Sequence, residues 1–385
     1  MANVHDYLRW RGDLTFAERP FNDVDNIVLS ALVYLDFTGV VPDELQGGSV
    51  RLCDACRQLI EAGGGDVTPY VRSLAHIDTP LIELIAQSQR FCDARLRSFV
   101  DVMDEHRTEQ FCAVEVILPD AGVYVAFRGT DSTLVGWREN FMLSFEVTEA
   151  QREAAVYLRR ALKRAAFDNL TVRVGGHSKG GNLAEYAVLS CTPEEAERVT
   201  HVYSNDGPGM APEVIPQDGR AILGDKLRRI IPTYSLVGML FAKETDPCIV
   251  VASNSTGIGQ HDLTTWQVLP DGMEEVEGLQ PESLVIHEAA TKWIANVPLE
   301  ERERIVNELF DALESGGATR FDEIAATPEG LQQVIRSLRN VDERTRDVAL
   351  ALVQGTVDTS VDAVRKAARK VIEDATHRLF GTPEE

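Results

Sequence analysis

The sequence predicts an α/β protein with a mainly parallel central sheet, a helical N-terminal region and a helical C-terminal extension. Three observations predict it. Short apolar runs at 111–118, 123–127, 172–174, 199–204, 227–231 and 249–251 alternate with helix-like segments, which implies a parallel sheet covered on both faces. The first hundred residues, and the chain from Ser283 onward, instead carry apolar stripes at helical spacing. Between them, residues 171–189 read TVRVGGHSKGGNLAEYAVL: an apolar strand, a glycine-flanked turn and a helix in direct succession.

In chain order, residues 4–21 hold Tyr7, Leu8, Trp10, Leu14 and Phe16 ahead of Pro20, an arm that packs apolar side chains on the body. Residues 25–37 place Ile27, Val28, Leu32, Val33 and Leu35 at helical spacing, and 50–62 predict another helix. Thr79-Pro80 opens a third, with threonine as cap, proline in the first turn, and Leu81, Leu84 and Ile85 as its stripe. Residues 93–104 predict one more helix. Residues 111–118 and 123–127 flank the turn Pro119-Asp120-Ala121-Gly122 and predict a hairpin on the sheet. Residues 150–167 predict a helix carrying Ala154, Val156, Leu158, Leu162 and Ala165. After 199–204 comes Asn205-Asp206-Gly207-Pro208-Gly209, a strong turn signal, and after 249–251 a loop with Gly257, Gly259, Gln260 and His261. Three further stripes follow: Ile305, Val306, Leu309, Phe310 and Leu313; Leu331, Val334, Ile335 and Leu338; Val361, Val364, Ala368, Val371 and Ile372. The expected division is one α/β domain at 1–282, with 1–105 as its helical part, and a helical extension at 283–385.

The chain's 385 residues are 44% hydrophobic and 26% charged, a balance that supports a sizeable core. A formal net charge of −23 disfavours nucleic acid and anionic membranes as partners. The opening MANVHDYLRWRGDL lacks a secretory pattern, and no apolar run approaches the roughly 20 residues of a membrane span. The expectation is a soluble cytoplasmic protein without a stable membrane anchor. Of six cysteines only Cys53 and Cys56 are closely spaced, with no second pair or nearby histidines to complete a zinc site. They read as two small residues on a helix in a reducing compartment. No metal or cofactor is expected.

Gly176-His177-Ser178-Lys179-Gly180 is a G-x-S-x-G motif in the strand–turn–helix setting such a motif requires. Ser178 would stand at the carboxyl end of the sheet, with a helix N-terminus behind it. It is the nucleophile candidate, and the backbone N–H of Lys179 is one oxyanion donor. Phe127-Arg128-Gly129-Thr130 ends an earlier strand, so Thr130 is placed to supply the second through its N–H or hydroxyl. The base must be a histidine. His177 lies inside the elbow, with its side chain directed away from the nucleophile's role, while His261 follows the last strand in the order Ser…Asp…His. Four acids compete to orient it: Asp206, Asp246, Asp262 and Asp225. Asp206 directly follows the strand beside the elbow and is held by the Gly207-Pro208-Gly209 turn, so it is preferred; as an Asx turn it would only cap that loop.

These residues carry a resemblance. VAFRGTDSTLVGWRENFMLSF at 125–145, with GGHSKGGNLAEYA and VYSNDGPG, resembles the fungal-lipase (class 3) type of α/β hydrolase. Adding YLRWRGDLTF, RPFNDVDN, SLVGML and QHDLTTW, in the same order over about the first 270 residues, the chain resembles more closely the bacterial Mbeg-like family of hydrolases. The resemblance implies an α/β-hydrolase fold with FRGT at the oxyanion hole and Ser178 as nucleophile. Two positions depart from it. Lys179 stands where lipase-like relatives commonly have leucine, and Ser235-Leu236-Val237-Gly238 stands where many class 3 lipases carry an acid before V-P or V-G. The expected activity is lipase- or esterase-like cleavage of a carboxylic ester or thioester through Ser178, His261 and Asp206. The partner is a small ester or acyl substrate, and the helical extension offers a surface for self-association. Two other readings stay open: an idle hydrolase fold used for binding, and amidase or peptidase chemistry on the same residues.

Overall fold

In the computed structural model the described residues are 1–73, 75–131, 133–143, 145–211, 214–215, 222–241, 247–281, 283–284 and 297–315. The N-terminal arm contains helix α1 (Val4–Arg11), followed by α2 (Asp23–Leu32). Both start with a capping box. Asn3 and Asn22 accept from first-turn amides, and Asp6 and Asp25, three residues on, accept from the asparagine's own N–H. Asp25 also meets Arg90 through two hydrogen bonds of 2.6 Å, and both side chains are fully buried. The Arg90 guanidinium donates further to the carbonyls of Leu14, Thr15, Arg19 and Pro20 and lies 4.1 Å over the Phe16 ring. One buried cation thus holds the whole arm against the body.

Strand β1 (Val50–Arg51) leads into α3 (Leu52–Ala62), where Cys53 and Cys56 are buried; burial pushes their thiols up to about 11 and about 12. Helix α4 (Thr79–Gln87) is capped by Asp78 rather than Thr79. Asp78 accepts from the Leu81 N–H, while Thr79 Oγ1 accepts from the Val67 N–H. The expected helix at 93–104 is instead strand β2 (Arg95–Asp104). The pairing of β2 with β3 (Glu109–Leu118) shifts register between Arg97 and Val100, and Ser98 takes a left-handed φ of 55°. The extra residue puts Leu96 and Phe99 on one face and Val100 and Val102 on the other, so a bulged strand imitates helical spacing.

The remaining strands are β4 (Gly122–Phe127), β5 (Thr171–His177), β6 (Val199–Asn205), β7 (Leu227–Pro232) and β8 (Ile249–Val251). They complete an eight-stranded sheet in sequence order, antiparallel from β1 to β4 and parallel from β4 to β8. Phe127 pairs with Gly176, His177 with Asn205, and Asn205 with Ile230, so the carboxyl ends of β4 to β7 lie along one edge. One face, through Cys112, Val114, Tyr124 and Tyr203, packs against the N-terminal helices. The other, through Phe111, Val125, Phe127 and Val174, packs against α6 (Glu149–Phe167) and α7 (Lys179–Leu189). Every residue of α7 is buried, because it crosses directly beneath the sheet between β5 and β6.

The described residues fall into two compact units. The first is Met1–Asp131 with Leu143–Asn296; the second is Ser132–Met142 with the described part of Val297–Glu385. In the second, α5 (Leu134–Met142) meets α9 (Leu299–Ser315), which is numbered after the short α8 (Pro193–Ala196). Arg138 donates to Asn307 at 2.8 Å and pairs with Asp311 at 3.1 Å, and the Phe141 and Phe310 rings are 5.7 Å apart. Ile305, Val306 and Phe310 of the first C-terminal stripe are buried. The other two stripes lie outside the described residues. Among the described residues, no helix is long and apolar enough to cross a membrane.

Candidate active site

The turn between β5 and α7 places Ser178 at φ 56° and ψ −130°, a region that side chains rarely occupy. The Ser178 N–H donates to Asn205 O at 2.9 Å, and Ser178 O accepts from the Gly181 N–H at 2.9 Å, which pins the turn from both sides. Gly180 is required by close approach: a Cβ there would lie 2.2 Å from the Phe127 carbonyl oxygen. A strained serine between a central parallel strand and a buried helix is α/β-hydrolase architecture.

Gly129, in the run after β4, sits against this turn. A Cβ on it would meet Tyr34 Oη at 2.2 Å, His177 O at 2.6 Å and Ser178 Cβ at 3.2 Å. Thr130, the next residue, is buried at the same sheet edge. Arg128 anchors the run from behind with two bonds to Asp101, of 2.7 and 2.6 Å. Lys179 opens α7, and its side chain runs to Gln110 at the start of β3, beside the run that follows β4. Buried, its Nζ donates to Gln110 O at 2.7 Å and to Gln110 Oε1 at 3.1 Å. Its aliphatic stem is buried while its charged head reaches polar partners.

Asp206 follows β6 with φ 46° and is completely buried. Its Oδ2 accepts from His261 Nδ1 at 2.6 Å. Its Oδ1 accepts from Ser235 Oγ at 2.5 Å and from the Gly238 N–H at 3.1 Å. The other acids are placed differently. Asp262 is spent as a cap, accepting from Thr264 N–H, Thr264 Oγ1 and the His76 N–H. Asp225 is exposed, in the short turn Gly224–Lys226 that precedes β7. Asp246 lies outside the described residues.

His261 ends a 3-10 turn, Gly257–His261, with its side chain 24% exposed. A carboxylate only accepts, so Nδ1 carries the proton and Nε2 is the open nitrogen. The turn is anchored at Gln260, whose side-chain oxygen accepts from Thr233 Oγ1 and the Tyr234 N–H, and whose carbonyl accepts from Trp266 Nε1.

Three neighbours of the site were not apparent from sequence. Ser235 holds the second oxygen of Asp206. His177 is engaged at both ring nitrogens: its Nε2 lies 2.7 Å from the His261 carbonyl and its Nδ1 2.8 Å from Tyr34 Oη. Burial, then the neighbouring His261, hold the His177 imidazole well below its ordinary range, so the ring is neutral. The signal available in sequence was the position of His177 at the strand's last residue, which faces the sheet edge.

The Mbeg1-like family matches residues 85–311, more than half of the chain. No curated protein matches it. Among solved structures, a fungal lipase–inhibitor complex presented as a model for interfacial activation in lipases is similar at 13% identity and a TM-score of 0.36, over 71% of this chain and 88% of that one. The Rhizomucor miehei lipase–propeptide complex is similar at 13% identity and TM-score 0.36, over 68% and 76%. M37 lipase follows at 15% and 0.34, over 55% and 68%. The family match spans the run after β4, the elbow, Asp206 and His261 together, and on that match the chain belongs to the Mbeg1-like family.

Proposed function

We propose that the protein is a serine hydrolase that cleaves a carboxylic ester or thioester through an acyl-enzyme on Ser178. The observation that carries the reading is the 2.6 Å bond between buried Asp206 and His261, formed at the same sheet edge as the strained Ser178. In this reading His261 Nε2 takes the Ser178 Oγ proton as Oγ bonds to the substrate carbonyl carbon. The carbonyl oxygen becomes an oxyanion and is met by the Lys179 N–H and by Thr130. Collapse breaks the bond to the alcohol or thiol, which leaves with the proton from His261. Water then repeats the sequence on the acyl-enzyme, releasing the acid and restoring Ser178. Asp206 keeps the proton on Nδ1 and stabilises the imidazolium.

A fluorophosphonate probe tests the proposal. Wild-type protein should label at Ser178 and turn over p-nitrophenyl esters, and Ser178→Ala should do neither, a loss of several orders of magnitude. Equal labelling of the alanine variant would refute Ser178 as nucleophile. Faster turnover of matched anilides than of esters would move the activity to amides.

A further inference from the structure

Tyr34, His177 and the backbone of His261 form one buried hydrogen-bonded line. Tyr34 is 1% exposed and His177 2%. A carbonyl can only accept, so His177 Nε2 carries the ring proton and donates to His261 O. The neutral ring then offers Nδ1 as acceptor, and Tyr34 Oη donates to it. Burial keeps the Tyr34 phenol protonated and a donor, and the Gly129 amide faces its oxygen. Every donor therefore points the same way, from the run after β4, through Tyr34 and His177, to the turn that carries His261. The His177 and His261 rings also lie 4.5 Å apart, tilted by 38°.

We propose that Tyr34 and His177 are positioning residues, a clasp that fixes the His261 turn and the Gly129–Thr130 run to the strand bearing Ser178. The inference rests on the hydrolase reading. His177 is covalently joined to Ser178 and hydrogen-bonded to His261, so nucleophile and base are linked by one peptide unit and one hydrogen bond. The anchors at Gln260 hold the residue before the base; the clasp holds the last residue of the turn, the base itself. Misplacing a catalytic group by about 1 Å can cost on the order of a hundredfold.

Three substitutions at His177 separate this role from simple packing. Glutamine carries an amide N–H at the reach of Nε2 and can keep the bond to His261 O. Asparagine reaches only the position of Nδ1, and leucine keeps bulk alone. With a p-nitrophenyl ester, His177→Leu and His177→Asn should each lower kcat by roughly ten- to a hundredfold with KM within about twofold. His177→Gln should recover most of that loss. Tyr34→Phe, which removes the donor to Nδ1, should fall between wild type and His177→Leu. If leucine does not yield folded protein, the glutamine–asparagine contrast decides alone. Equal activity of the glutamine and asparagine variants overturns the clasp, as does a change confined to KM. Wild-type protein that fails to label with fluorophosphonate overturns the hydrolase reading itself; labelling wild type with an unimpaired asparagine variant overturns only the clasp.

Discussion

Asp206→Asn is the sharpest perturbation of the site, because the surroundings dictate how the amide must sit. Oδ1 of Asp206 faces the Gly238 N–H, which can only donate, and the Ser235 hydroxyl. An asparagine must therefore keep its carbonyl oxygen on that side and turn its NH2 toward His261. Nδ1 of His261 would then face a donor and have to accept, which moves the ring proton to Nε2. In the hydrolase reading Nε2 is the atom that takes the Ser178 proton, so the base is occupied. Wrong-tautomer substitutions of this kind lower kcat by about 10⁴, or about 5.4 kcal/mol of barrier at about 1.36 kcal/mol per tenfold. The fold should tolerate the change. The shape and the hydrogen-bond count are conserved, and the lost charge-assisted bond is offset by removing a buried carboxylate. The assay is steady-state hydrolysis of a p-nitrophenyl ester beside the thermal midpoint, which should stay within a few degrees of wild type. Asp206→Asn retaining more than a tenth of wild-type kcat would refute the assignment. Loss of activity in Asp246→Asn, with Asp206→Asn active, would move the acid to the later segment.

Thr130→Val keeps shape and removes a hydroxyl; if that hydroxyl serves the oxyanion, kcat should fall by about 10²–10³, and an unchanged kcat would leave at most the backbone N–H in that role. Gly129→Ala forces a methyl against Tyr34 Oη and His177 O, so it should both lower the thermal midpoint and slow fluorophosphonate labelling; a variant with wild-type midpoint and labelling would show that the run after β4 can shift freely. Arg90→Met strands Asp25 as an unpaired buried carboxylate and releases four arm carbonyls, a loss of about 3–5 kcal/mol measurable by urea unfolding. A loss under about 1 kcal/mol would mean that the arm is held by its apolar contacts instead. The fourth expectation concerns pH. His177 is neutral in the fold with a depressed pKa, so the unfolded chain binds more protons once pH falls below the ordinary histidine value near 6.5. Its contribution is fully present above that value and is lost progressively as pH drops toward its lowered folded pKa. His177→Gln should flatten the stability profile below about pH 6.5 relative to wild type, and superimposable profiles would show that His177 is not buried neutral.

What the sequence by itself determined is whatever is written in neighbours along the chain. The elbow at 171–189 was legible because the strand, both glycines and the amphipathic helix are contiguous, and backbone sterics around Ser178 act over a few residues. The hairpin β3–β4 and the run Arg128–Thr130 were legible for the same reason. β2 was misread because its bulge between Arg97 and Val100 replaces alternation with a spacing that a helix would also produce; only pairing with β3 distinguishes them. Thr79 was taken for a cap because capping is a choice among adjacent polar residues, and its hydroxyl was engaged by Val67, twelve positions earlier. The contact between a carboxylate and His261 itself is made only in the tertiary structure. The sequence preferred Asp206 among four acids from its place after β6, and what brings its carboxylate to His261 is the parallel register that sets Asn205 beside His177 and the return of the chain across 55 positions. The tertiary structure alone revealed that Ser235 donates to Asp206 and that Tyr34, 143 positions from His177, completes the hydrogen-bonded line to His261. Such contacts are set by where a sheet edge gathers its strand ends, and a hydrogen bond of 2.7 Å across that edge leaves no periodic trace in the chain.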